Sequence, residues 1–201
     1  MNTALFALAG YLAGSMPFGY WLIRVLKGVD IRKVGSGNIG ASNVWRTFGP
    51  PYGLAAALLD VLKAFVPALL ATIYVGHLAG VLAGAAAMLG HWRPLFLRFQ
   101  RGGKMVATCG GAFLGVAPIV GGIGAGVWIL AFLLVRYASI ASILAALSLP
   151  ITAVLLGEPW PVLAFASVAA VGIVLLHRAN IARLRAGTES RFAFRRRTAA
   201  A

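Results

Sequence analysis

The sequence has almost no acid: Asp and Glu together number 4 among 201 residues, against 18 Lys and Arg. So few carboxylates exclude the paired acids on which most hydrolytic sites depend. Charged residues of both signs amount to only 11%, less than half the usual ~25%, and with 61% hydrophobic residues this excludes an ordinary soluble domain. The single cysteine, Cys109, permits neither an intramolecular disulfide nor a cysteine-based zinc site, and His77, His91 and His177 lack ligand spacing. No metal and no cofactor are therefore expected. A net charge of +14 would indicate nucleic acid in a soluble chain, but at a mean hydropathy of +0.90 it indicates anionic headgroups or phosphorylated molecules instead, with no nucleic-acid partner.

What the sequence has in abundance is long apolar runs. A bilayer core of roughly 30 Å needs about 20 apolar residues per helix. Runs of this kind lie at 4–25, 52–75, 78–96, 105–118, 119–135, 139–156 and 160–176. The expected fold class is an all-α integral membrane protein with seven transmembrane helices. The first run has no basic segment before it and is too long for a signal peptide, so it reads as a retained helix. Basic residues fall in 24–46, in 93–104, at Arg136 and after 176. Seven crossings place all four segments, 17 of the 18 Lys and Arg, on one side. The positive-inside rule makes that side cytoplasmic, with the N-terminus outside and the C-terminus cytoplasmic. Residues 1–190 are expected to form one domain, followed by a basic cytoplasmic tail, 191–201, that ends on Arg195-Arg196-Arg197 and Thr198 to Ala201.

Within the second run Lys63 follows Asp60 by three residues, on one helical face, and an intramembrane ionisable pair is a functional candidate by default. Glycine pairs at GxxxG spacing, Gly80 with Gly84, Gly111 with Gly115 and Gly122 with Gly126, predict close helix packing.

Three polar segments interrupt the apolar pattern. Gly35-Ser36-Gly37-Asn38-Ile39-Gly40-Ala41-Ser42-Asn43 formally contains GxGxxG with Asp60 twenty residues on. A dinucleotide fingerprint needs a strand before it and a βαβ unit around it, and here Asp60 lies inside an apolar run, so that reading is rejected. Glycines that allow positive φ can still form an anion nest, with Ser36, Asn38, Ser42 and Asn43 adding side-chain donors. A glycine-rich turn that caps the next segment is the plain alternative. The second segment runs from Gly90-His91-Trp92-Arg93-Pro94 to Phe99-Gln100-Arg101-Gly102-Gly103-Lys104. It is not a Walker A loop, but Gly102 and Gly103 before Lys104 at a helix start supply backbone donors, the helix dipole and a cation. Arg93, Arg98 and Arg101 read as a positive-inside flank, and His91 as a shaper of this loop. In the third, His177-Arg178-Ala179-Asn180, the His and Asn share a helical face as the last run enters the cytoplasm. The three segments converge on one membrane side, as a site for a phosphorylated molecule at the lipid boundary would require. With no evident acid–base pair, a reaction there must rely on electrostatic stabilisation or on an already activated substrate.

As they stand, GSGNIGASNVWR at 35–46, GHWRPLFLRFQRGGKMVAT at 90–108 and HRANIARLRAGTE at 177–189 resemble the three motifs of the bacterial acylphosphate-dependent glycerol-3-phosphate acyltransferases, the PlsY family. Asp60-Val61-Leu62-Lys63 and Arg136-Tyr137-Ala138-Ser139-Ile140-Ala141-Ser142 match as well, and the similarity runs from about residue 4 to 189. The resemblance implies a seven-helix enzyme of the bacterial inner membrane, with its site at the cytoplasmic face. It would transfer a fatty acyl group from acyl phosphate to the 1-hydroxyl of glycerol 3-phosphate, giving lysophosphatidate and phosphate. By position, Ser36, Lys104, Ser142, His177 and Asn180 would be the catalytic set. Gly37, Asn38, Gly40, Ser42, Asn43, Arg46, Gly102 and Gly103 would bind substrate phosphate. Two departures stand out: Ser42 replaces the family's usual Thr and keeps the hydroxyl, whereas Met105 follows Lys104 where the family has glycine, with one extra residue near Gln100-Arg101. If that position needs positive φ, Met105 strains the turn. A small transporter of a phosphorylated metabolite is the competing class, but it would call for repeats and midplane polar groups beyond Asp60 and Lys63. A non-catalytic partner, motivated by Met105, is a third.

Overall fold

Proline and glycine punctuate the bundle. The structure, a computed structural model, describes residues 2–192, and Arg195, Arg196 and Arg197 of the tail lie outside the described residues. Among these are ten α-helices and no strand: α1 Thr3–Gly14, α2 Phe18–Lys27, α3 Ala41–Phe48, α4 Pro50–Tyr74, α5 His77–Trp92, α6 Val106–Val116, α7 Pro118–Val135, α8 Ala138–Leu155, α9 Trp160–Leu176 and α10 Arg178–Arg185. Pro50, Pro118 and Pro161 sit in the first turns of α4, α7 and α9, where a missing N–H leaves no helical bond unmade. Gly28, at φ +67°, closes α2.

All seven apolar runs are helical, with corrections at three of them. The run 4–25 is two helices: Pro17 has no N–H to donate, so α1 ends on Gly14 and α2 begins at Phe18. The run 78–96 leaves the helix at Trp92, because Pro94 disfavours helical backbone at Arg93, and 95–97 form only a short 3₁₀ turn. The run 105–118 yields α6 of 11 residues, about 16 Å long at 1.5 Å per residue, against a core of roughly 30 Å. By length and composition four stretches can cross a membrane: Thr3–Lys27 as one, α4, α7 and α8. They become five if α9 and α10, bent by 54° at His177, count as one. The exterior carries Leu, Ile and Val such as Leu134, Ile151, Leu155 and Val168, all exposed, as a lipid-facing surface requires.

Close backbone approach holds the bundle together. Gly10 and Gly14 of α1 lie so near α5 that a Cβ on either would meet the Ala83 or Ala87 carbonyl oxygen at 2.2 or 2.1 Å. Of the three glycine pairs expected to pack, two do. A Cβ on Gly111 would come within 2.1 Å of the Val61 carbonyl of α4, one on Gly115 within 2.8 Å of the Leu69 amide, and Gly80 and Gly84 are equally closed in. Gly122 and Gly126 face open space, with nothing within 4 Å of an added Cβ. On α7 it is Gly121 and Gly124 that meet neighbours instead. Phe113 of α6 stacks on Phe165 of α9 at 4.7 Å in the middle of the core.

Candidate active site

The three polar segments and the start of α8 surround one cavity of about 320 Å³. Its polar end is lined by Ser36, Asn38, Ser42, Arg46, Lys104, Ser142, His177, Asn180 and Glu189; an apolar arm runs between α4, α7 and α8 past Leu54, Ala125, Ile129 and Leu149. Sequence reading named eight of those nine polar residues.

Residues 35–46 are half helix: Gly40 caps α3 and Ser42 sits in its first turn. Gly35 and Gly37 hold φ of +59° and +68°, as the turn requires. The amides of Gly37 and Gly40 are already engaged, the first by Val34 O at 3.1 Å and the second by Asn38 Oδ1 at 2.8 Å, and Gly37 does not line the cavity. Asn43 is buried and used up inside the turn. It donates to the Val34 and Asn38 carbonyls at 3.1 and 2.9 Å and accepts from the Ser36 amide at 2.9 Å. The loop therefore offers the cavity the N-terminus of α3 with Ser36, Asn38, Ser42 and Arg46, while Asn43 is its internal brace.

Gly102 and Gly103 do not line the cavity either. Their amides donate to the Trp92 and His91 carbonyls, each at 2.9 Å, which lays the Gly102–Lys104 stretch against the end of α5. Asn38 Nδ2 donates to Gly102 O at 3.2 Å and Arg32 to Gln100 Oε1 at 2.9 Å, so the first two segments are tied to each other. Met105 has φ +67° and is buried, so the positive φ on which the strain at this turn depends is present.

Lys104 reaches across to the third segment, where its ammonium donates to Asn180 Oδ1. Burial draws its pKa from 10.5 to about 8. The nearby Glu189 charge opposes that shift, and the Arg183, Arg46 and Arg101 charges reinforce it. Asn180 Nδ2 in turn donates to Glu189 Oε1 at 2.6 Å, which also accepts from Ser139 Oγ at 2.8 Å, while Glu189 Oε2 takes Arg183 Nε at 2.7 Å. Burial works to raise the Glu189 pKa, but these three donors outweigh it and hold the carboxylate below its ordinary range. His177 Nδ1 meets the Ile173 carbonyl at 2.8 Å. A carbonyl can only accept, so the proton sits on Nδ1 and Nε2 offers a lone pair. Ser142 donates to Ala138 O at 2.6 Å and accepts from Trp128 Nε1 at 3.1 Å.

Sequence reading missed Glu189, Ser139, Trp128, Asp60 and His91 as cavity residues. Glu189 had one available signal: it is one of only four acids, on the side that holds the basic segments. Phe192, beyond it, is buried against Trp45 and Phe132 at ring distances of 5.9 and 5.0 Å and donates its amide to Arg136 O, which fastens the segment after Glu189 beside the cavity.

Comparison with known proteins accounts for this arrangement. The glycerol-3-phosphate acyltransferase family model matches residues 4–187. The glycerol-3-phosphate acyltransferase of Desulforudis audaxviator (strain MP104C) is 48% identical over 191 residues, 92% of this chain and 93% of that protein. That of Aquifex aeolicus (strain VF5) is 44% identical over 194 residues, 96% of this chain and 100% of that protein. The crystal structure of PlsY (YgiH), an integral membrane glycerol 3-phosphate acyltransferase, in its glycerol 3-phosphate form has a TM-score of 0.90 at 43% identity, covering 95% of this chain and 96% of that one. Its lysophosphatidic acid form gives 0.87 at 42% identity, covering 95% of each. With matches that span nearly the whole chain in both sequence and fold, this protein belongs to the glycerol-3-phosphate acyltransferase family of integral membrane enzymes.

Proposed function

We propose that the protein uses acyl phosphate as donor and acylates the 1-hydroxyl of glycerol 3-phosphate. The observation that carries this reading is the two-part cavity, with cations and hydroxyls at one end and an apolar arm at the other. Arg46 and Lys104 hold the glycerol phosphate, and Ser36, Asn38 and Ser42 with the start of α3 hold the donor phosphate. The acyl chain lies along α7 and α8. His177 Nε2 accepts a hydrogen bond from the glycerol hydroxyl and aims its oxygen at the acyl carbonyl, while Ser142 and Asn180 fix the geometry around it. The hydroxyl oxygen bonds to the carbonyl carbon, the carbon–oxygen bond to phosphate breaks, and the departing phosphate takes the hydroxyl proton. The donor is already activated, so neither an acyl-enzyme nor a carboxylate base is needed, in keeping with the scarcity of acid. The transporter reading gives way to the family match, and residues 1–190 act as one catalytic domain.

The membrane arrangement completes the proposal. The chain crosses a bacterial inner membrane seven times, which puts the cavity's polar end and nearly all Lys and Arg at the cytoplasmic face. Cysteines placed at Lys33 and Gly157 should label from opposite sides, and labelling from one side would overturn the topology. The activity is tested by phosphate release coupled to lysophosphatidate formation from palmitoyl phosphate and glycerol 3-phosphate, with acyl-CoA as the alternative donor. Turnover with palmitoyl phosphate that falls about a hundredfold or more in Lys104→Ala and His177→Ala is expected. Turnover with acyl-CoA alone would overturn the donor assignment.

A further inference from the structure

The Asp60–Lys63 pair lies beside the site, yet no step above uses it. Both side chains are 2% exposed and 2.7 Å apart, deep in α4. A buried ion pair survives only where every remaining donor finds an acceptor. Lys63 meets that condition: besides Asp60, its Nζ donates to Met16 O at 2.8 Å, in the break between α1 and α2, and to His91 Nδ1 at 2.9 Å. An ammonium can only donate, so His91 Nδ1 presents its lone pair and the ring proton is on Nε2. Nε2 faces Gly103 so closely that a Cβ there would lie 1.8 Å away, and the His91 carbonyl receives the Gly103 amide. The next residue is Lys104.

We propose that Asp60, Lys63 and His91 form a positioning unit for the Gly102–Lys104 stretch. Lys63 fixes the His91 tautomer and ring, the ring and carbonyl of His91 seat Gly103, and Gly103 sets where the Lys104 ammonium points. The same Lys63 ties this seat to the α1–α2 break, so three elements share one anchor. A pair that merely stapled α4 to α5 would leave Gly103 out of the contact and would affect stability without discriminating between the two substrates.

This inference rests on Lys104 as the glycerol-phosphate contact, so Lys104→Ala is assayed alongside. In purified enzyme, the double variant Asp60→Asn/Lys63→Met, which removes both buried charges together, and His91→Leu should each raise KM for glycerol 3-phosphate on the order of tenfold or more. KM for palmitoyl phosphate should stay near that of the parent. His91→Gln, which keeps an acceptor for Lys63 and an N–H toward Gly103, should recover most of the loss. If the double variant does not fold, the His91→Leu and His91→Gln pair decides alone. Parent-like KM for glycerol 3-phosphate, equal rises for both substrates, or no recovery in His91→Gln would each overturn the proposal. An unchanged KM in Lys104→Ala would instead remove the reading of Lys104 beneath it.

Discussion

The pKa of Lys104 makes the clearest quantitative demand on the mechanism. Burial brings it from 10.5 to about 8, so the folded enzyme holds this cation less firmly than water would. At pH 7 about nine-tenths of the free enzyme carries the charge, and at pH 9 about one-tenth. The second ionisation of a phosphate monoester lies near pH 6, so capture of the dianion should rise to a plateau above that value. kcat/KM for glycerol 3-phosphate should then fall about tenfold per pH unit above pH 8, as the free enzyme loses its ammonium. A bound phosphate favours the charged lysine, so kcat at saturating substrate should turn down only at higher pH. The assay is initial-rate phosphate release from pH 5.5 to 10 at low and at saturating glycerol 3-phosphate. In Lys104→Arg the guanidinium stays charged throughout, so the alkaline fall should vanish even though the altered geometry lowers the rate. A kcat/KM flat to pH 10 in the parent, or a break near pH 8 retained in Lys104→Arg, would refute the assignment.

Further expectations follow from the same geometry. Glu189→Gln removes the charge that props up the Lys104 pKa, so the alkaline break should move below pH 8, which the same pH profile would reveal. Gly103→Ala forces a Cβ into His91 and should cut kcat/KM for glycerol 3-phosphate about a hundredfold, whereas Gly126→Ala, with open space around it, should leave activity intact and gain about 0.5–1 kcal/mol in a thermal melt. Met105→Gly relieves about 1–2 kcal/mol of left-handed strain but gives up about 1.5–3 kcal/mol of buried side chain, so a net loss of about 1 kcal/mol in the same melt is expected. A gain would mean that the side chain contributes little to the core.

The helical segments were legible because membrane helices are read from one dominant quantity, apolar run length. What run length cannot register is where a helix stops early. Pro17 and Pro94 were both visible, yet each lies inside a run apolar enough to look continuous, and the backbone consequence of a proline overrides side-chain hydropathy. The glycine pairs show a similar limit. GxxxG spacing at 111–115 and at 122–126 is identical, but only the first faces a neighbouring helix, and which side of a helix faces protein is a tertiary fact.

The candidate site was legible in the residues that break composition: hydroxyls, amides and cations set in apolar sequence. Their division of labour was not. Asn43 reads as one more donor, yet three backbone groups around it consume its capacity, and Gly37, Gly102 and Gly103 serve close approach and turn geometry with their amides already bonded. Glu189 escaped notice, and Asp60 was read as half of an intramembrane ion pair without being placed at the site. In a chain with four acids, two line the cavity: Glu189 is braced by Ser139 and Asn180, fifty and nine residues away, and Asp60, besides the Lys63 that spacing pairs with it, lies 3.7 Å from His91 Nδ1 of another helix. Both act on a cation rather than on the reacting atoms, Glu189 by raising the pKa of Lys104 and Asp60 by anchoring the lysine that orients His91. An enzyme whose donor arrives already activated has no need of a carboxylate base. The few carboxylates it retains near the site are free to control where its positive charges sit and at what pH they persist.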